Sequence, residues 1–148
     1  MRISTKGRYA LAAVISMAQQ FSSGEYITAV SISEKLGISK IYLEQVFSLL
    51  KRGQLVISIK GAQGGYLLSH SPAQISVYEV LSAVEGSLFE GTEDTVAAKA
   101  PDIEAAMRFS VFENLDSMVK SALSRVTLED LVSEAEKHNT DSSKMFYI

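Results

Sequence analysis

Apolar residues recur at helical spacing from Thr5 onward. Leu11, Val14, Ile15, Ala18 and Phe21, joined by Ala10 and Met17, line one face, and Ser22-Ser23-Gly24 closes the run. A short extended piece follows around Tyr26-Ile27-Thr28. Ser31 to Gly37 then reads as a brief helix, with Ser31 as its cap, Glu34 three residues on, and Gly37 suited to a left-handed stop. Ser39 can cap the next helix, Lys40 to Arg52. Its apolar stripe is Leu43, Val46, Phe47 and Leu50, while Ile41, Tyr42, Gln45, Ser48 and Arg52 face the other way and Gly53 ends it. A short helix, a glycine turn and a longer amphipathic helix make a helix-turn-helix pattern.

Residues 55–60, Leu-Val-Ile-Ser-Ile-Lys, form a β-branched run. Gly61-Ala62-Gln63-Gly64-Gly65 and then Tyr66-Leu67-Leu68-Ser69-His70 follow, so the spacing predicts a hairpin where the wing of a winged helix belongs. The glycine loop lacks the dinucleotide fingerprint and the phosphate-loop lysine, and it leads into a strand, which rules out a nucleotide site. Pro72 breaks the wing, and Ser76 to Val84 reads as a helix with Val77, Val80, Leu81 and Val84 on one face. Residues 86–100 are acidic and unpatterned, a loop. Pro101 suits the first position of a long helix to about Leu123. Its stripe is Ile103, Met107, Val111, Leu115, Met118, Val119 and Leu123, with Phe112 beside it. Such a face, far from the winged-helix core, needs a partner surface, and a second copy of the same helix supplies one. Thr127 caps a last helix, Leu128 to Lys137, and a polar run leads to Met145-Phe146-Tyr147-Ile148. The expected fold is mostly α with a small β-hairpin wing. It divides into a winged helix-turn-helix (1–85), a linker loop (86–100), dimerisation helices (101–137) and a C-terminal tail (138–148).

Composition narrows the chemistry. The 148 residues are 47% hydrophobic and 21% charged, an ordinary globular balance. No apolar run approaches the roughly 20 residues that span a bilayer. The N-terminus has neither an uninterrupted apolar region nor a cleavage site, so a cytoplasmic chain is expected. There is no cysteine. Disulfides, thiol nucleophiles, thiolate zinc sites and cysteine-ligated clusters are therefore excluded. His70 and His138 stand far apart, no nucleophile–base set exists, and neither an enzyme nor a cofactor is expected. The net charge of −3 averages two unlike halves. Residues 1–70 hold eight Lys/Arg against three acids, giving +5, and residues 71–148 hold six against fourteen, giving −8. A basic front suits a polyanion on one side only, although halves of opposite sign also arise in proteins with no such partner.

In a helix-turn-helix the start of the second helix enters the major groove of double-stranded DNA. Ser39, Ile41, Tyr42 and Gln45 are the candidates there: Gln45 can pair with an adenine edge and Ile41 can meet a thymine methyl. Tyr42 can pack its ring against the first helix while its hydroxyl meets a phosphate. Glu44 either disfavours some sequences or pairs with Lys40 one turn back. Thr5, Lys6, Arg8 and Tyr9 are candidate phosphate clamps, and Ser58, Lys60 and Gly61 would set the wing on the backbone or minor groove.

With these elements in place the chain resembles the winged-helix regulator family that includes IscR, NsrR and CymR. The residues responsible are Ile3-Ser4-Thr5-Lys6-Gly7-Arg8-Tyr9, Tyr42-Leu43-Glu44-Gln45, Lys60-Gly61-Ala62-Gln63-Gly64-Gly65-Tyr66, Val84-Glu85-Gly86 and Thr127-Leu128-Glu129-Asp130-Leu131. They are collinear along nearly the whole chain. The resemblance implies a homodimeric repressor reading a pseudo-palindromic operator. Cluster-sensing members carry three cysteines before the long helix, and this chain has none there. It is most similar to the cysteine-metabolism repressor CymR, which also lacks them and ends in a like aromatic-plus-isoleucine tail. Lys60 stands where the family usually has arginine, a point charge in place of a planar fork.

The tail has two readings. Phe146 and Ile148 fold back on the dimer helices, or Phe146, Tyr147 and Ile148 insert with the free carboxylate into a partner's pocket. Likeness to CymR implies cysteine synthase as that partner and cysteine or sulfur genes as targets. Alternatives are a regulator of the same family answering another small-molecule or stress signal, and a protein–protein adaptor acting through the tail.

Overall fold

A computed structural model describes residues 1–61 and 64–146, with 140–146 described by backbone alone. The chain folds as α1 (Thr5–Gln19), α2 (Ala29–Leu36), α3 (Lys40–Arg52), β1 (Val56–Ile59), β2 (Gly65–Leu68), α4 (Val77–Val84), α5 (Pro101–Met107), α6 (Glu113–Ser124) and α7 (Leu128–Phe146). This is the expected mostly helical architecture with an antiparallel hairpin, in register Val56↔Leu68 to Ile59↔Gly65. Among the described residues no helix is long and apolar enough to cross a membrane.

Small residues let the core form around α1. Gly7, Ala10 and Ala13 are buried, so α3, α4 and α7 all pack against this one helix. Leu43, Val46, Phe47 and Leu50 of α3 are buried as their spacing predicts, as are Val77, Val80, Leu81 and Val84 of α4. On α1 the expected stripe is off by part of a turn. Ala10, Ala13, Val14, Met17 and Ala18 are buried, while Phe21 falls beyond the helix in a 3-10 turn and is exposed.

Several local expectations need correction. The cap of α2 is Thr28, whose Oγ1 accepts from Ser31 N–H at 3.1 Å, so the helix starts two residues before Ser31. Tyr26-Ile27-Thr28 is extended as expected, but Ile27 also bridges Tyr66 in both directions, at 3.0 and 2.8 Å, making it a third strand position beside β2. Gly53 closes α3 as expected, with a negative φ of −77°, and the left-handed residue is the next one, Gln54 at φ 63°. Gly53 is required for another reason: a Cβ there would lie 2.8 Å from that of Ala83.

The long helix departs most. It begins at Pro101 as expected, but Arg108–Phe112 form a π-helical turn between α5 and α6. Ile103, Met107, Val111 and Leu115 are four apart, and each such step overshoots an α-helical turn by roughly 40°. An i→i+5 turn takes up an extra residue and cancels much of that drift, keeping the stripe on one side. Val126 and Ile75 then tie the start of α7 to the start of α4 by two backbone bonds, and Thr127 caps α7 with Asp130 reciprocating at 3.0 Å. The helix expected to stop at Lys137 runs to Phe146.

Residues 86–100 form no regular element but are fastened to α5 and the π turn. Glu104, only 5% exposed, accepts from the amides of Thr95 and Val96, both at 2.7 Å. Arg108 pairs with Asp94 and donates to Thr92 C=O at 3.3 Å. Removing the Glu104 side chain leaves two amides without their acceptor. Glu104→Ala is expected to lower stability by about 1–3 kcal/mol in urea unfolding, with faster hydrogen exchange at Thr95 and Val96. Unchanged exchange at those amides would show that the latch is not what orders the segment.

Candidate nucleic-acid interface

Ser39 begins the outward face of α3 by accepting from Tyr42 N–H at 3.1 Å, a cap that fixes where the helix starts. Ile41, 71% exposed, lies with exposed Gln45 and Ser48 in an open concavity of about 470 Å³. An isoleucine so exposed beside a bare glutamine offers an apolar contact and a paired donor–acceptor on one surface. Glu44, on the same concavity, is held by Lys40 Nζ at 3.7 Å, the sideways pairing that was one of its two readings.

Tyr42 is half-buried and meets Tyr9 edge-on, with ring centroids 4.9 Å apart and planes at 81°. Its ring therefore packs on α1. The same contact fixes α3 against the start of α1, where Thr5 Oγ1 accepts from Arg8 Nη2 at 3.0 Å. Thr5, Lys6 and Tyr42 line a concavity of about 350 Å³ together with Ser4, Glu85 and Gly86.

Ser4 and Glu85 control that corner, and the sequence reading attached no role to either. Ser4 Oγ accepts from Gly7 N–H at 3.0 Å, capping α1, while Ser4 O–H and N–H donate to Glu85 Oε1 at 2.8 and 3.0 Å. Gly7 leaves room for that carboxylate, since a Cβ on it would overlap Glu85 Oε1. The partners are 81 residues apart. The only signal in the sequence was that both lie in motifs of the family resemblance.

The wing is fixed from behind. Tyr66 stacks on Phe47 at 4.3 Å and 9°, and Gly65 admits the chain at Tyr26 and Ile27, whose atoms lie 3.0–3.4 Å from where its Cβ would be. Ser58 pairs opposite Tyr66 and lines a groove of about 610 Å³ with Thr28, Val30, Lys40 and Glu44. Lys40, not among the predicted contacts, is thus brought beside Ser58; its basic side chain at the first turn of α3 was the available clue. Lys60 and Gly61 are exposed past the end of β1 and line none of these concavities.

On the long helix Ile103, Val111, Leu115 and Met118 are 54%, 54%, 57% and 63% exposed, whereas Met107 and Leu123 are half-buried. Phe109, outside the predicted stripe, is exposed too. Tyr147 and Ile148 lie outside the described residues, and of Phe146 only the backbone is described, as the end of α7.

This arrangement matches known proteins along nearly its whole length. The family model described as Rrf2, iron-dependent transcriptional regulator, matches residues 3–134. The chain belongs to the Rrf2 family of transcription regulators. The HTH-type transcriptional regulator IscR of Cronobacter sakazakii is 37% identical over 136 residues, 92% of this chain and 83% of the relative. Among solved structures, CymR (YrzC), the global cysteine regulator of B. subtilis, is similar with a TM-score of 0.72 and 34% identity, covering 90% of this chain and 98% of its own. T. potens IscR is similar with a TM-score of 0.71 and 33% identity, covering 93% and 90%. Rrf2 proteins of this kind are winged-helix regulators that bind DNA, not enzymes, and this chain shares that fold and that activity.

The iron in the family's description finds no fit in these residues. The chain has no cysteine, and among the described residues no group of three or more His, Asp or Glu could hold a metal ion. In segment 86–100 the acid nearest the long helix, Asp94, is engaged by Arg108, and the buried Glu104 is committed to two amides.

Proposed function

We propose that this Rrf2 chain is a homodimeric repressor of cysteine or sulfur-metabolism genes that works without an iron–sulfur cluster. The observation that carries the reading is the α3 face, where exposed Ile41 and Gln45 stand one turn apart while Tyr42 packs on Tyr9 of α1 and shares a concavity with Thr5 and Lys6. Gln45 and Ile41 read base edges. Ser39, Thr5, Lys6, Arg8 and Tyr9 hold phosphates or the helix that holds them, and Ser58, Lys60 and Gly61 bring the wing to the flanking backbone. The absence of thiolates and the likeness to a cysteine regulator support the target genes and the cluster-free mode.

The exposed stripe of Ile103, Val111, Leu115 and Met118, with Met107 and Leu123 at its margins, supports a dimer in which two copies bury the same face against each other. The tail, Phe146, Tyr147 and Ile148, is the contact for cysteine synthase. An isoleucine on an aromatic stem, together with the likeness to a cysteine regulator, supports that reading.

Each element has its own test. In operator titrations across salt, Gln45→Ala should cost about 1–3 kcal/mol and relax sequence preference, whereas Lys6→Ala should weaken all sequences alike and reduce the salt slope by about one. Unchanged affinity and preference for Gln45→Ala would place the reading face elsewhere. Leu115→Glu should shift sedimentation from dimer to monomer, and a variant that stays dimeric would move the interface off this stripe. Full-length chain, but not one lacking Tyr147 and Ile148, should retain purified cysteine synthase on a column. Equal retention would remove the tail's role.

A further inference from the structure

A cleft on α6 belongs to none of the operator contacts and borders the apolar stripe at Leu115 and Val119. It lies where α4, α6 and segment 86–100 meet, encloses about 270 Å³, and is walled by Tyr78, Leu88, Phe89, Leu115 and Val119, with Met1 at its edge. Tyr78 and Phe89 form the apolar wall as a tilted ring pair with centroids 4.9 Å apart. Lys120 and Asp116, one helical turn apart on α6, line the same cleft. Lys120 Nζ lies 5.5 Å from the centroid of the Tyr78 ring. Elsewhere in the chain the same i,i+4 spacing closes into an ion pair, Lys40 with Glu44. Lys120 and Asp116 make no such pair with each other or with any described residue. A cation resting on an aromatic face and a bare carboxylate one turn away therefore flank one apolar wall.

We propose that this cleft binds an amino-acid-sized zwitterion with an apolar side chain. Lys120 takes the ligand carboxylate, Asp116 takes the ammonium, and the side chain lies against Tyr78 and Phe89. Sites for drug-sized ligands occupy roughly 300–1,000 Å³, so this cleft suits a smaller molecule. A ligand of one charge engages only Lys120 or only Asp116 and forfeits the second charge contact, which favours the zwitterion over simple carboxylates and amines. Of the stripe on the long helix Leu115 and Val119 reach the cleft, so ligand and second copy use faces that meet along those two residues. The cleft touches both the long helix and Met1, three residues before the Ser4 cap that sets Thr5 and Lys6. Occupancy would thus bear on operator binding, and by linkage operator DNA would change ligand affinity by the same factor.

The test is calorimetric titration of the full chain with L-leucine, L-valine and L-phenylalanine, each beside its deaminated carboxylate and its decarboxylated amine. At least one amino acid should bind at millimolar concentration or below, about tenfold more tightly than either one-charge analogue. Lys120→Ala and Asp116→Asn, both at exposed positions, should each weaken it about tenfold, while Tyr78→Phe, which keeps the ring, should bind as the parent does. No binding by any of the three at millimolar concentration would overturn the proposal. Equal binding of a one-charge analogue, or unchanged binding by Lys120→Ala, would do the same. The titration contains no DNA, so its failure is separate from any failure of the operator-binding reading.

Discussion

Glu85 holds the beginning of the molecule to its middle. One carboxylate oxygen accepts both the N–H and the O–H of Ser4, and that hydroxyl oxygen in turn caps α1. Hydrogen bonds to a charged group contribute about 1.5–3 kcal/mol each, enough to fix a helix end that would otherwise fray. The geometry works only because Gly7 presents no Cβ to the carboxylate. Where α1 starts decides where Thr5, Lys6 and Arg8 stand. Tyr9, one turn on, carries that position to α3 through its edge-on contact with Tyr42. The start of α1 and the outward face of α3 are consequently held to each other.

The wing is tied to the same body from the other side. Phe47 leaves α3 to stack flat on Tyr66, and the other edge of β2 is bridged by Ile27 from the start of the helix-turn-helix. A two-stranded hairpin alone is marginal in water. Here a third strand position and an aromatic stack hold it, and Gly65 permits the close passage. β1 and β2 are therefore held against α3.

Beyond Glu85 the chain turns acidic, and these charges are put to different uses. Glu104 is buried to receive two amides, and Asp94 meets Arg108, so segment 86–100 is organised by side chains of the long helix. That ordering requires no metal. The π turn at Arg108–Phe112 then keeps a stripe spaced in fours on one side, and Leu115 and Val119 of that stripe help wall the cleft between α6 and α4.

Much of this was legible in the sequence wherever the deciding contacts are local. The bounds of α3, the Ser39 and Thr127 caps, the left-handed Gly37 and the hairpin all depend on residues within a few positions of one another. Spacing alone therefore announces them. The outward set of Ile41 and Gln45 follows directly from the inward set of Leu43, Val46, Phe47 and Leu50. Tertiary structure decided what hangs on distant partners. Thr28 rather than Ser31 caps α2, on a segment that Ile27 pins to Tyr66. Glu104 reads as one more surface acid until the loop folds over it, and Ser4 meets Glu85 only when α1 and α4 pack. The absent cysteines were plain from the start and removed thiolate chemistry at once. That a buried glutamate and an arginine organise the segment before the long helix could be seen only in three dimensions, because amides and acceptors many residues apart become partners through packing.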